Sequence, residues 1–261
     1  MVSFDKRDRR ALIKTNIEGT ANVVNLCLEH NVKKLIHISS IAALGRHKQD
    51  GLTNETHKYE ANKFNSLYSV TKYQSELEVW RGKEEGLKVI VLNPAIILGS
   101  GFWDIGSNGF FKHVWRGSSF YPTGTNGFVD VRDIARFIAL HIENEYDHDQ
   151  YLMVAESITY QHLLTEISHS LGKKAPSTAT NKWILGLAWR LDKWRAVLTG
   201  SRPMLTQETA VTSMKNYHFD HSRSLMNGAF KYTPLNETIA ATGEQFREAA
   251  KHQFQAMVLP F

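Results

Sequence analysis

Tyr68 and Lys72 stand four residues apart in the run SLYSVTKYQSELE (66–78), whose pattern is that of a helix. Positions i and i+4 share one helical face with Cβ atoms about 5–6 Å apart, so a phenol and an ammonium can bear on one small target. A tyrosine hydroxyl titrates near 10, too high for efficient proton transfer at neutral pH, and a neighbouring ammonium favours the phenolate. Ser40, at the close of an apolar run, can hydrogen-bond a substrate oxygen beside that phenol. Together Ser40, Tyr68 and Lys72 compose a proton-transfer site for a carbonyl or an alcohol. Taken alone, the tyrosine–lysine pair reads as an ordinary surface pair.

The elements that must position these residues follow a regular order. Residues 8–30 carry Leu12, Ile13, Ile17, Val23, Val24 and Leu28 at helical spacing. KKLIHISS (33–40) reads as a buried parallel strand, 45–65 as a polar loop, and the helix bearing Tyr68 ends near Gly86. KVIVLNP (88–94) is a second buried strand, stopped by Pro94. Helix, strand, helix, strand is the alternation of an α/β fold with a parallel sheet, which binds its ligands at the C-terminal ends of the strands. Those ends are Ser39–Ser40 and NPAIILG (93–99).

From 99 to 127 the composition turns to Gly, Ser and aromatics, and the stretch is expected to be an irregular, substrate-facing insertion, with Trp103 and Phe110 as substrate-binding residues. A strand and helix at 127–144 and a strand at 150–155 follow. The next helix, 157–174, has Thr159 as its N-cap, Ile158 as its staple and Gly172 as its stop. Beyond about 145 the chain is mainly helical and rich in aromatics. Its run KWILGLAWRLDKWRAVL (182–198) sets Trp183, Trp189 and Trp194 among leucines, which suits a substrate with an apolar body, a core or a dimer face. Two domains are expected, a catalytic one over 1–145 and a smaller substrate domain over 146–261.

With 261 residues, 42% of them hydrophobic, the chain can bury a substantial core. Its net charge of +5 comes from scattered basic residues, so no nucleic-acid-binding stripe is expected. The single cysteine, Cys27, excludes an intrachain disulfide and reads as a small buried residue of a helix, which fits a reducing, cytoplasmic location. Neither a signal peptide nor a membrane span is legible. The histidines form no metal-ligand set, and no G-x-S-x-G elbow marks a hydrolase.

Five motifs, NIEGT (16–20), SSIAALG (39–45), YSVTK (68–72), NPAIILG (93–99) and FVDVRD (128–133), stand in the order of one known family. From residue 3 to about residue 155 the chain resembles the extended short-chain dehydrogenase/reductases, within them the dihydroflavonol reductase-like and nucleotide-sugar epimerase/dehydratase members. The resemblance implies that Tyr68 is the general acid/base and that Lys72 binds the nicotinamide ribose while lowering the tyrosine's pKa. It matches Ser40 to the catalytic serine and Asn16 to the asparagine that orders a proton-relay water. Ser39, Pro94, Ile96 and Ile97 are implied to shape the nicotinamide site, and the cofactor is NADP or NAD.

The family's domain opens with a strand and a G-x-x-G-x-x-G turn whose amides meet the cofactor's pyrophosphate at a helix N-terminus. The sequence holds no such motif, and the resemblance begins at the end of the family's fourth strand. The expected fold is therefore α/β, a partial Rossmann-type doubly wound parallel sheet without its first strands and glycine-rich turn, with a smaller, mainly helical substrate domain. If Met1 is an internal start, the activity of this chain by itself is in question. The function expected is an NAD(P)-dependent oxidoreductase acting on the carbonyl or alcohol of a bulky apolar substrate, and a homodimer is compatible with it. A nucleotide-sugar epimerase/dehydratase is one rival, and a non-catalytic remnant serving as a binding or scaffold protein is the other.

Overall fold

The first thirty residues are helical, though not uniformly. Lys6–Asp8 form a 3-10 turn, α1 (Arg9–Leu12) follows, Ile13–Glu18 widen into a π-helical segment, and α2 (Gly19–Glu29) completes the run. π segments interrupt α-helices mostly where a side chain has a special task, and the one here carries Asn16, 6% exposed. Next come β1 (Lys34–Ile38), a 3-10 turn at Ile41–Leu44, β2 (Leu52–Thr53), α3 (Leu67–Glu84), β3 (Lys88–Pro94) and β4 (Ile96–Leu98). The chain continues through α4 (Gly109–Trp115), β5 (Phe120–Tyr121), β6 (Thr125–Asp130), α5 (Val131–Glu143), β7 (Gln150–Met153) and β8 (Glu156–Thr159). It ends with α6 (Tyr160–Leu171), β9 (Thr178–Ala179), α7 (Lys182–Thr199), α8 (Gln207–Thr212), β10 (His218–Phe219) and α9 (Leu235–Lys251). The computed structural model describes residues 1–45, 52–62, 65–103, 106–144, 148–199, 206–252 and 254.

One parallel sheet runs in the order β1–β3–β7, with Ile36 opposite Ile90 and Leu92 opposite Tyr151. Alternate residues of β3 serve two cores. Val89 and Val91 meet Val24 and Cys27 of α2 and Val79 of α3, while Ile90 and Leu92 meet Val129, Ile134, Phe137 and Tyr151. A strand covered on both faces needs an unbroken apolar run, which is what KVIVL supplies. α2 and α3 come so close that a Cβ on Gly82 would lie 2.6 Å from Val24 Cγ1, so a glycine at 82 sets their spacing.

β1 departs from the expected buried strand. Its residues are half-buried or exposed, Ile38 47% so, because β3 is its one paired neighbour among the described residues. A second sheet, in the order β4–β6–β8, joins β4 and β6 in parallel and β6 and β8 antiparallel. β7 and β8, both beyond residue 145, thus pair with β3 and β6 from before it.

The stretch expected to be irregular and substrate-facing contains packed structure instead. Phe111 and Val114, three apart on α4, are buried in a core that includes Leu163 of α6 and Phe246 of α9. Trp103 is 8% exposed and sits edge-on to Phe246 with ring centres 5.0 Å apart. Phe110 is half-buried against Phe128 and Tyr160. The i, i+3 spacing in GFFKHVW gives α4 an apolar face, and that face was covered by helices distant in sequence.

α6 begins and ends as its residues dictate: Thr159 Oγ1 accepts from His162 N at 3.1 Å, and Gly172 stops the helix at φ 63°. On α7, Leu185 and Ala196 are buried whereas Trp183 and Trp194 are exposed. Among the described residues, no helix is long and apolar enough to cross a membrane.

Candidate active site

Ser66 caps α3, its hydroxyl accepting from Ser69 N at 2.8 Å, and this sets Tyr68 in the first helical turn. Ser69 Oγ in turn donates to Ala42 O at 2.6 Å, clamping the turn that follows β1 onto the helix. Ser40 caps that turn in extended conformation, its Oγ accepting from Ala42 N at 3.2 Å, and its hydroxyl stands close enough to the Tyr68 hydroxyl to weigh on that phenol. One turn further along α3, Lys72 Nζ donates to Ile38 O, at the last residue of β1, at 3.0 Å. The phenol, the serine hydroxyl and the ammonium therefore converge on the C-terminal end of β1.

Asn16 reaches the same helix from the π segment. Its Nδ2 donates to Thr71 Oγ1 at 3.1 Å and to Met1 O at 3.0 Å, and its Oδ1 accepts from the Met1 ammonium at 2.8 Å. The Phe4 ring stands edge-on to Tyr68, with ring centres 5.8 Å apart. β3 is tied to the site by Ser39 N, which donates to Leu92 O at 2.7 Å, and by Asn93 Nδ2, which donates to Ser40 O at 2.9 Å. Pro94 is buried beyond Asn93; Ile96 and Ile97 are half-buried, each packed on a different core. Trp103 and Phe110 belong to the aromatic core described above.

Burial governs the site's electrostatics. It pushes the Tyr68 phenol above its ordinary value against the smaller, opposite pull of the neighbouring Ser40 hydroxyl, the opposite of the lowered phenol expected from Lys72. Burial lowers the Lys72 ammonium, which the charge of Glu76 partly restores. Glu76, 4% exposed, is raised by burial against the pull of Ser39, Asn93 and Lys72. Ser39 Oγ makes no hydrogen bond of good geometry, yet it borders that carboxylate closely enough to weigh on it.

Sequence reasoning passed over Glu76, Asn93, Thr71 and His37. Glu76 could have been found as the next i+4 step after Tyr68 and Lys72. The others have no local signal, since what matters in them is a partner on another element. A nicotinamide group suits the polar side of the site, where Ser39 Oγ and His37 Nε2 are buried without partners near the Lys72 cation. No G-x-x-G-x-x-G run is present for its pyrophosphate. Among the described residues, no cluster of His, Cys, Asp and Glu could hold a metal ion.

His37 makes a stability prediction. Burial, with the Lys72 charge second, lowers its imidazole to about 3. Below the ordinary value near 6.5 the unfolded chain takes up a proton there that the folded chain refuses until about pH 3. Stability present at pH 7 is thus lost as pH falls through that window, by up to about 2 kcal/mol between pH 7 and 5. Urea unfolding at the two pH values should show a smaller loss for His37→Gln than for the parent; equal losses would place the proton elsewhere.

Residues 2–154 match the model of a family described as the NAD dependent epimerase/dehydratase family. A Synechocystis sp. protein, assigned as a dihydroflavonol 4-reductase by inference, is 24% identical over 247 residues, covering 91% of this chain and 71% of its own length. Cinnamoyl-CoA reductase CAD2 of Medicago truncatula is 27% identical over 172 residues, 61% of this chain and 53% of the relative, so this chain spans about half of that enzyme. In three dimensions, the crystal structure of gox2253 superposes with a TM-score of 0.75 at 26% identity, over 96% of this chain and 78% of that one.

Proposed function

Because the chain belongs to the NAD dependent epimerase/dehydratase family, we propose that it is the catalytic and substrate-binding part of an NAD(P)-dependent reductase that converts the carbonyl of a bulky apolar substrate to an alcohol. The observation that carries this reading is the gathering of three groups at the end of β1: the Tyr68 phenol beside the Ser40 hydroxyl, and, one helical turn on, the Lys72 ammonium bonded to Ile38 O. Lys72, Ser39 and Pro94 would hold the nicotinamide and its ribose, with whichever of Ile96 and Ile97 faces that side, since the two neighbours on β4 pack on different cores. When bound, the reduced cofactor supplies the hydride.

The protein's own groups handle the oxygen and its proton. Ser40 Oγ donates to the substrate carbonyl oxygen and steadies the charge that develops there. Tyr68 delivers its proton to the same oxygen. Since burial has raised the phenol, Tyr68 is protonated at neutral pH and ready to act as an acid. The Lys72 ammonium, one helical turn on, favours the phenolate as that proton leaves, and Asn16 donates to the Thr71 hydroxyl between them on α3. The reverse steps serve alcohol oxidation.

Reduction of an apolar carbonyl is favoured over sugar epimerisation by the reductases among the relatives. It is also favoured by the second half of the chain, where no cationic cluster on a glycine-rich turn offers itself to a diphosphate. The test compares NADH and NADPH oxidation with aromatic and alicyclic ketones against conversion of UDP- and dTDP-sugars, all at millimolar cofactor. Ketone-dependent loss of the reduced-cofactor absorbance is expected. Sugar conversion with no net cofactor consumption would replace this reading by the epimerase one, and inactivity on both would favour a binding or scaffold protein.

A further inference from the structure

The polar face of α3 does not end at Lys72. Tyr68, Lys72 and Glu76 form a ladder four residues apart, and its last member is a carboxylate that water scarcely reaches. Burying a carboxylate costs several kcal/mol unless hydrogen bonds and countercharge offset it. Both are present. Glu76 Oε1 accepts from Asn93 Nδ2 at 2.6 Å, and Lys72 is near enough for each charge to weigh on the other.

Asn93, fully buried on β3, joins three elements with one side chain. Its Nδ2 donates to Glu76 on α3 and to Ser40 O in the turn after β1, and its Oδ1 accepts from Gln150 Nε2 on β7 at 2.8 Å. A planar amide with both ends engaged cannot flip. Its orientation decides where the Ser40 backbone stands, and the acceptor at Glu76 decides its orientation.

We propose that Glu76 is a positioning residue: its carboxylate orients Asn93, which fixes the Ser40 turn against Tyr68, and it is the countercharge for the buried Lys72 ammonium. The inference rests on the reductase reading for its consequence and on the geometry above for its existence. The other titratable or charged groups around the ladder are Tyr68, His37 and the Met1 ammonium, the last two each coupled to Lys72. Both are more protonated at low pH and oppose Lys72 there, so Glu76 is the one anion acting in its favour among these groups.

The test reads Lys72 directly, in protein carrying 13C-labelled lysine, with its Cε resonance assigned through Lys72→Arg. In the unsubstituted chain that resonance should show a second inflection where Glu76 titrates. In Glu76→Gln, which keeps an acceptor for Asn93 and removes the charge, Lys72 should titrate about one unit lower or more. The alkaline limb of kcat/KM should move down by the same amount, with roughly a tenfold loss at a fixed pH on that limb. Glu76→Asp should bring both back toward the parent. An unmoved Lys72 in folded Glu76→Gln, or the missing second inflection, would overturn the proposal. A shifted Lys72 in a parent that reduces no ketone would uphold the coupling and count against the reductase reading.

Discussion

Tyr68→Phe is expected to lower turnover about 100- to 10,000-fold, the range of positioned acid–base catalysis, while cofactor affinity stays within a few-fold of the parent. Phenylalanine keeps the ring that meets Phe4 and loses only the hydroxyl that stands beside Ser40. Lys72→Ala should do more damage. It removes the Nζ bond to Ile38 O, the cation that assists Tyr68 and the proposed ribose contact, so turnover and affinity should fall together. Steady-state kinetics with a reducible ketone, beside a direct cofactor titration for each variant, separate the two effects. Comparable turnover by Tyr68→Phe and the parent would remove the phenol from the chemistry.

The second large effect concerns the cofactor. The 261-residue chain taken by itself is expected to bind NADH and NADPH weakly, because its sequence offers no glycine-rich turn to the pyrophosphate. Two missing charge-assisted hydrogen bonds, at about 1.5–3 kcal/mol each, weaken binding by two orders of magnitude or more. Among the described residues β1 pairs with β3 alone, and its other edge is open to a further strand. A strand and glycine-rich turn joined ahead of residue 1 should raise affinity at least about a hundredfold. Energy transfer from tryptophan to bound nicotinamide measures it; saturable binding of the unextended chain in the low micromolar range would contradict the expectation.

The parts of the site legible in the sequence are those with local causes. Tyr68 and Lys72 declare themselves by an i, i+4 spacing, Ser40 by closing an apolar run, and Thr159 and Gly172 by the chemistry of helix ends. The two faces of β3 were likewise written in an unbroken apolar stretch. Other features have partners remote in sequence. Glu76 reads as one more acidic residue on a helix until Asn93, 17 residues on, is seen against it. Trp103 looked available to a substrate because Phe246, which covers it, lies on the last helix. The direction of the Tyr68 shift was missed for the same reason: spacing reveals the nearby ammonium and says nothing of how much of the protein surrounds the phenol. The half-exposure of β1 depends on what stands beside it, which its own residues do not encode.

The central claim is that hydride and proton reach one carbonyl, the proton from Tyr68. The measurement that tests it most directly uses nicotinamide cofactor deuterated at C4, at millimolar concentration, with a bulky aryl ketone and the unextended chain. Mass spectrometry and proton NMR of the product should show one deuterium on the new carbinol carbon for each cofactor oxidised, and almost none formed by Tyr68→Phe. Unlabelled alcohol, or a sugar nucleotide converted while the labelled cofactor remains reduced, would contradict it.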